Sequence, residues 1–537
     1  MTAAYLSRSD HIPTVDADGR DKTLWELIDE RAGLTPDARM AIDEQGRTMT
    51  YAEYRAWCER VAAGLASRGV TEGTRVSWVL PSRFEAFVLI GALARLGAVQ
   101  NPILPIYRHR EIRFIAEQSG CRIMVVPGVF RNVDYEKMVR EATADLDVDV
   151  LVADPDLPEG DAATLPAFTP VGVGDEHPLR WLFYTSGTVA DPKGARHTDR
   201  SMAGANLGMQ WAMEVTADDK VAVVFPITHV GGLVWMFNAM ETGCELLVVE
   251  IFNPETTPAF LAEHGVTCAG AGTVFWQAYL AAQRRQPDTP LFPDVRMFNG
   301  GGAPKPPNIH DELMKEMGAP VVSGWGLTET PIVTMLHVDD PDERKALTEG
   351  RACPGVQLRT VSVDGAVTGP GEEGELQVRA QQLCLGYLDA SLDADAFVTE
   401  PLSPGDATTE RPWFRTGDLG VIDTEGYVTI TGRLKDIIIR KGENISAKEV
   451  EDVLFTHPKV ADVAVIGLPD PASGERACAV VVCADGDTLS FLEMVEHVKA
   501  ADLAPQKFPE QLELVDVLPR NASGKVLKRE LRAQFST

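Results

Sequence analysis

Apolar positions recur at helical spacing in "TLWELIDERAG" (23–33) and "TYAEYRAWCERVAAGLASRG" (50–69), and both stretches run out at a glycine, so each predicts an amphipathic helix. "FEAFVLIGALARLGAV" (84–99) is apolar nearly throughout but is interrupted by Glu85 and Arg95. It is too short and too charged to span a bilayer and predicts a core helix. "RWLFYTS" (180–186) predicts a strand, and "TDRSMAGANLGMQWAMEV" (198–215) a helix capped by Thr198 or Asp199. From Val221 onward short β-rich runs alternate with helical ones. "KVAVVFPI", "CELLVVEIF", "GVTCAGAG", "VRMFNGGG" and "PVVSGWG" are the expected strands; "TPAFLAEHG", "FWQAYLAAQRR" and "HDELMKEMG" are the helices between them. Such alternation points to an α/β fold with a largely parallel sheet, whose ligands sit at the carboxyl ends of the strands.

After Arg351 the texture changes. "GVQLRTVSVDGAVTGPGEEGELQVRA" alternates apolar and polar residues between Gly and Pro, the pattern of antiparallel hairpins. A further boundary falls near "GYVTITGRLKDIIIRKGENISAKEVEDVLF". There Ser446 and Glu449 have the spacing of a capping box, and Ile445 and Val450 that of a hydrophobic staple, so a helix is expected to start at this point. The last hundred or so residues read as a small α+β unit.

Composition narrows the class. With 45% hydrophobic and 24% charged residues the 537-residue chain is ordinary for a soluble protein of two to four domains. A net charge of −29 argues against a nucleic-acid partner. The eight cysteines are scattered without a C-x-x-C pair, a poor disulfide framework and a poor zinc site, which favours a reducing cytoplasm. The N-terminus is polar and lacks the apolar core of a signal peptide.

The candidate chemistry begins at "YTSGTVADPKG" (184–194). Three hydroxyls, two glycines and Lys193 suit phosphate oxygens, because glycine lets backbone N–H groups approach an anion closely. A polar surface turn is the alternative. The loop departs from the common nucleotide pattern, since Lys193 precedes Gly194 and Ala195 follows. Further along, "FNGGGAP" (298–304) follows a strand, and three successive glycines suggest a flat ligand edge lying on the backbone. "GWGLTET" (324–330) offers a ring, a hydroxyl and a carboxylate, although Trp325 could equally be core and Glu329 solvated. "FRTGDLG" (414–420) places Asp418 at a glycine turn, where a turn-forming Asp is the usual reason. "GRLKDIIIRKGENIS" (432–446) lies at the domain boundary and "PRNASGKVLKREL" (519–531) near the C-terminus.

The ordered set resembles the adenylate-forming superfamily of acyl-CoA synthetases, peptide-synthetase adenylation domains and luciferases, from about Trp25 to Leu531. The resemblance implies a large N-terminal domain (1–432) of parallel-rich sheets with helices and a small β-barrel-like subdomain, and a small mobile α+β C-terminal domain (433–537). It implies ATP, Mg²⁺ and coenzyme A. Thr185, Ser186, Gly187, Thr188 and Lys193 are then the triphosphate loop, although Val189 and Ala190 stand where the family usually has Thr-Gly. Thr328 contacts the α-phosphate and Glu329 the metal. Adenine lies between Gly301, Gly302, Ala303 and Pro304 and the ring of Trp325, a position more often Tyr. Asp418 and Arg433 hold the ribose. Lys525 resembles the catalytic lysine, and its neighbours Lys528 and Arg529 read as a solvated tail. Lys435 is the hinge, and Lys441 and Gly442 belong to the pantetheine tunnel. His229 corresponds to a gate between acyl pocket and tunnel, with a satisfied core histidine as the alternative. Val230, Gly231, Trp235, Thr273, Val274, Gly300 and Ile332 are acyl-pocket candidates.

The implied reaction is acid + ATP + CoA → acyl-CoA + AMP + pyrophosphate, on a medium-chain, alicyclic, aryl or other bulky hydrophobic acid. Loading of a separate carrier protein is the alternative within the superfamily, and a non-catalytic nucleotide-binding regulator the alternative outside it. "PRNASGK" also resembles the acetylation target of bacterial CoA ligases, implying a protein lysine acetyltransferase acting on Lys525. A homodimer is a further expectation.

Overall fold

The computed structural model describes residues 21–153, 156–171, 176–185, 192–302, 305–306, 308–399, 412–440, 443–471, 473–484, 486–501, 503–520 and 525–536. The expected N-terminal helices form at Leu24–Leu34, Tyr51–Ser67 and Phe84–Leu96. Thr23 and Thr50 cap the first two through capping boxes with Glu26 and Glu53, which satisfies otherwise orphaned backbone donors. The third is buried on almost every side, including Glu85, and ends at Gly97 in the left-handed region (φ +65).

Two large sheets carry the N-terminal region. In one, Val99–Pro102, Arg75–Trp78, Ile123–Val126 and Asp149–Val152 run parallel, and Trp181–Tyr184 joins beside Val99–Pro102. In the other, Lys220–Val223, Glu245–Val248 and Arg39–Asp43 are parallel. The expected strand at "GVTCAGAG" is reduced to one bridging residue. Cys268 pairs in parallel with Val221 on one side and Met297 on the other. That residue links the second sheet to Phe298–Gly301 and Val321–Trp325, which are parallel to each other. Helices Val230–Thr242, Thr257–Glu263, Thr273–Arg284 and Ile309–Met317 fill the connections, as the alternation predicts.

The hairpin region beyond Arg351 is antiparallel. Val356–Val361 pairs with Gly374–Ala380, which pairs with Trp413–Ile422, which pairs with Val428–Arg433. This five-stranded sheet takes the place of the barrel-like subdomain. The C-terminal unit has its own sheet, in which Val460–Asp470 and Gly474–Cys483 form the long central hairpin, and its own apolar core around Ile438, Val450, Leu454, Val465 and Val481. An α/β fold with a large and a small unit is what the chain adopts.

The helix at Ala447–Phe455 starts where expected, but not for the expected reason. Ser446 makes no cap: its hydroxyl donates to the carbonyl of Thr431 at 2.5 Å. Glu449 is taken by Lys507, at 2.6 and 2.7 Å. Ile445 and Val450 are both fully buried, so the apolar half of the expected start is present and the polar half has been diverted. No helix among the described residues is long and apolar enough to cross a membrane.

Candidate active site

Three glycines in a row have two different physical causes. Gly301 stands opposite Gly324 in the parallel register, and a Cβ on Gly301 would lie 2.4 Å from the Gly324 carbonyl oxygen. A Cβ on Gly300 would lie 2.5 Å from the Gly272 nitrogen. These two are glycine because backbone packs on backbone, and Gly300 is an acyl-pocket candidate whose α-carbon faces another loop. Gly302 differs: it is left-handed (φ +80) and a Cβ there would meet nothing within 4 Å. Only this third glycine has the open side that the flat-edge reading asks of all three. Ala303 and Pro304 lie outside the described residues.

The adjacent strand ends at Trp325, whose indole N–H donates to Asp418 Oδ2 at 2.8 Å. Asp418 is 2% exposed, and its other oxygen accepts from Arg433 Nε at 2.7 Å. A buried carboxylate is tolerable only when paired and hydrogen-bonded, and both conditions are met. A carboxylate has about four lone-pair sites. Two are used here, so the group still fits two ribose hydroxyls.

Lys525 reaches the same place from the C-terminal unit. Burial, then the neighbouring Arg433 and Lys435, push its ammonium down to about 7, with Asp418 and Asp436 acting in the opposite direction. Lys435, in the short turn Leu434–Asp436, is lowered for the same kind of reason: burial first, then Arg433. Three cations thus crowd two carboxylates in a partly desolvated place. That arrangement is costly by itself and would be relieved by an anion. Lys528 corrects the reading of a solvated tail, since its Nζ lies 2.7 Å from Glu451 and the side chain is 17% exposed. Arg529 is exposed, as expected. Lys441 and Gly442 lie outside the described residues.

The neck of the phosphate loop is zipped. Trp181–Tyr184 pairs antiparallel with Gly194–His197, Thr185 N–H donates to the Lys193 carbonyl at 3.0 Å, and Lys193 N–H reaches Thr185 Oγ1 at 3.4 Å. Ser186, Gly187 and Thr188, with Val189 and Ala190, lie outside the described residues. Two residues unmarked in the sequence appear here. His197 is fully buried and held down to about 4 by that burial, so it is neutral, and its Nε2 pairs with the Thr328 carbonyl at 2.8 Å. Tyr387 donates its hydroxyl to Glu329 Oε1 at 2.6 Å, while Lys193 Nζ sits 5.1 Å from the centre of its ring. Burial and the Glu329 charge keep the phenol protonated. The signals for these residues were faint: a histidine closing a short strand, and a Gly-Tyr before an acidic turn.

Glu329 is 8% exposed and its main-chain carbonyl accepts from Cys384 N–H at 2.8 Å. Mg²⁺ on nucleotide phosphates usually takes one or two protein carboxylates. A buried carboxylate with one oxygen engaged by a neutral donor fits that demand. Glu214, His337 and Asp339 are the grouped metal-type side chains among the described residues, and Glu329 is not one of them.

On the acyl side, His229 caps the helix Val230–Thr242 by accepting from Gly231 N–H on Nδ1 at 3.1 Å. The proton is therefore on Nε2, and burial pushes the imidazole down to about 4, so it stays neutral. It meets Phe225 edge-on at 6.2 Å. Val230 and Trp235 are buried in the apolar cluster that also contains Trp325, and Ile332 packs against it. Ile332 is left-handed (φ +52), a strained state for a β-branched residue. Gln382 holds its carbonyl with a hydrogen bond of 2.8 Å. A Cβ on Gly231 would meet the His229 ring at 3.4 Å. Thr273 opens the helix Thr273–Arg284 immediately after Gly272, the loop against which Gly300 packs. Val274 is 39% exposed, so it is not a buried wall.

Trp325, Asp418, Arg433 and Lys525, brought together from separate segments, are the residues that the motifs of an adenylate-forming enzyme single out. The model of the AMP-binding enzymes matches residues 28–388, and that of the AMP-binding enzyme C-terminal domain matches residues 449–525. The chain belongs to the AMP-binding enzyme family, in its acyl-CoA synthetase branch, and is an acid–thiol ligase. It is 30% identical to the medium-chain fatty-acid–CoA ligase of Escherichia coli (strain K12), over 95% of this chain and 90% of that protein. It is equally 30% identical to the salicyl-AMP ligase / salicyl-S-ArCP synthetase of Mycobacterium tuberculosis, over 96% of this chain and 91% of the relative. The crystal structure of ATP-bound MatB from Rhodopseudomonas palustris superposes with a TM-score of 0.83 at 28% identity, covering 95% of this chain and 99% of that one.

Proposed function

We propose that the chain is an ATP-dependent carboxylic acid–CoA ligase that forms an acyl-adenylate, releases pyrophosphate, and then passes the acyl group to coenzyme A. ATP, Mg²⁺ and CoA are its cofactors. The observation that supports this best is the convergence of Lys525 on Asp418 and Arg433, because adenylation brings a carboxylate to a phosphate and both are anions. Lys525 bridges them. Thr185, Lys193 and Thr328 orient the phosphates, with Ser186, Gly187 and Thr188 of the same loop, and Asp418 fixes the ribose. Glu329 is the side chain that would hold Mg²⁺, which would supply positive charge against the phosphate oxygens when bound. The large domain covers residues 1–432 and the small one 433–537, turning about Lys435 between the two steps.

The acid is a bulky hydrophobic one, medium-chain, alicyclic or aryl. Val230, Trp235 and Ile332 supply apolar surface, and neutral His229 stands at its mouth. A panel of such acids in a CoA-dependent AMP-release assay tests the reading. Release confined to short polar acids would overturn it. Transfer to a carrier protein is the second reading, favoured by the similarity to a salicyl-S-ArCP synthetase. Acid-dependent exchange of pyrophosphate into ATP without AMP release on CoA addition would select it. Cytoplasmic residence, acetylation of Lys525 and homodimer formation belong to the same proposal.

A further inference from the structure

Residues 384–388 form a short strap that touches both halves of the phosphate site. Arg196 N–H donates to the Gly386 carbonyl at 3.0 Å, Leu385 N–H to the Arg196 carbonyl at 2.7 Å, and Leu388 N–H to the Gly194 carbonyl at 2.8 Å. The strap therefore adds one more antiparallel partner to the strand Gly194–His197, which leaves the phosphate loop. Its first residue, Cys384, donates its N–H to the main chain of Glu329. The backbone direction is set at Gly386, which is left-handed (φ +100) and packs so closely on Asp393 that a Cβ would lie 2.6 Å from the carboxylate. Asp393 in turn accepts from Tyr387 N–H at 2.8 Å. Everything about this segment fixes where the Tyr387 side chain goes.

Tyr387 is 3% exposed and has two functional neighbours. Its hydroxyl holds Glu329 Oε1 at 2.6 Å, and its ring lies beneath the Lys193 ammonium at 5.1 Å. A freely rotating carboxylate presents either oxygen in many directions; with Oε1 held, Oε2 has one direction left. The ring attracts the Lys193 cation through its quadrupole without using the N–H donors that phosphate oxygens require. We propose that Tyr387 is a positioning residue that sets the Glu329 carboxylate for Mg²⁺ and the Lys193 ammonium for the triphosphate, so that metal and phosphates are received in one register. This rests on the assignment of Glu329 and Lys193 to the nucleotide site. Partners that orient metal ligands commonly change metal affinity by about 10–100-fold when removed.

Two variants separate the hydroxyl from the ring. Tyr387→Phe keeps the ring and removes the O–H; Tyr387→Leu removes both. Calorimetric titration of ATP at stepped Mg²⁺ concentrations reads the first function. For Tyr387→Phe the Mg²⁺ needed for half-maximal ATP affinity should rise about tenfold. Titration of tripolyphosphate in the presence of chelator reads the second. Its affinity should be unchanged in Tyr387→Phe and should fall a few-fold in Tyr387→Leu. A role confined to packing would move neither the Mg²⁺ dependence of Tyr387→Phe nor its separation from Tyr387→Leu, so identical Mg²⁺ curves for Tyr387→Phe and the unmodified protein overturn the proposal. Melting temperatures of both variants establish that the proteins compared are folded. The ligase reading fails independently: an unmodified protein that binds Mg²⁺ and ATP but gives no acid-dependent exchange would sink that reading while these binding shifts still support Tyr387.

Discussion

Asp418 and Arg433 are direct partners across an antiparallel ladder, and the guanidinium Nε lies 2.7 Å from the carboxylate. The pair closes the strand Val428–Arg433 just before the turn Leu434–Asp436 that holds Lys435, so the proposed ribose carboxylate stands next to the proposed hinge. Trp325 completes the carboxylate's fixation from a different sheet. The group is thus preorganised, and orientation that exists before binding need not be created during it.

With Asp418 in the proposed ribose role, it is the expected source of discrimination for ribose hydroxyls. The unmodified enzyme should prefer ATP over 2′-deoxy- or 3′-deoxy-ATP by about tenfold or more in kcat/KM, as expected for losing a hydrogen bond to a charged group. In Asp418→Ala the preference should collapse toward unity even though overall activity falls. Discrimination that survives the substitution would place the ribose elsewhere.

Gly301 yields a stability prediction with an internal control. Its added Cβ meets the Gly324 carbonyl at 2.4 Å, within a parallel pair that cannot move apart without breaking the ladder. Overpacking of this kind costs about 1–3 kcal/mol or more. Gly46 is left-handed (φ +75), and a Cβ there meets nothing within 4 Å, so Gly46→Ala carries conformational strain alone. Scanning calorimetry should show the larger loss of melting temperature in Gly301→Ala. Equal losses would mean the strands relax around the methyl group.

The contrast between Gly301 and Gly302 shows what a sequence can transmit. Local signals were legible: the Thr198 cap, the alternation of strand and helix, and the order of the nucleotide motifs. The glycines expected to end the first two helices do not, since Gly33 lies inside Leu24–Leu34 and the second helix is capped by Arg68. Readings that needed two distant segments at once were not. The Ser446–Glu449 spacing is a capping box in one dimension, but Thr431 and Lys507 compete for those side chains only after folding. "GVTCAGAG" has strand composition, yet only Cys268 finds partners on both sides. Lys528 looked solvated because Glu451 is far away in the chain. His197 and Tyr387 support Thr328 and Glu329 across the fold, and no pattern local to either residue reports it.

The Ser446 contact has a functional consequence. It joins the strand Val428–Arg433 to the start of the helix Ala447–Phe455, so under the proposed turn about Lys435 it would belong to this orientation alone. Ser446→Ala should weaken that orientation by roughly one hydrogen bond, slowing adenylation by up to about tenfold. Thioester formation from synthetic acyl-AMP should be unchanged or faster, because in the proposed cycle it would use the other orientation. Parallel loss of both half-reactions would show a structural defect instead of a shifted domain equilibrium.

The role proposed for Lys525 would divide the two half-reactions most sharply and would also set a pH dependence. Its ammonium, held down to about 7 in the free protein, is the form that neutralises carboxylate and phosphate. The kcat/KM for ATP in adenylation should therefore be full below about pH 7 and decline as pH rises through it, since that ratio reports the free enzyme. Lys525→Arg keeps its charge at every accessible pH, so whatever activity it retains should lack this decline. Linkage gives the matching stability effect. A lysine depressed on folding costs stability where it is charged in both states, below about 7, and the cost fades as pH approaches the ordinary value of 10.5. Lys525→Met should accordingly raise the melting temperature at pH 6 and have little effect near pH 10.5. Lys525→Ala should reduce acid-dependent ATP–pyrophosphate exchange on the order of a hundredfold or more. Supplied with synthetic acyl-AMP and CoA, the same variant should form thioester at close to the unmodified rate, because a thiol attacking an activated carbonyl no longer brings two anions together. If both rates fall alike, Lys525 does not leave the site between steps, and the turn about Lys435 is not part of the cycle.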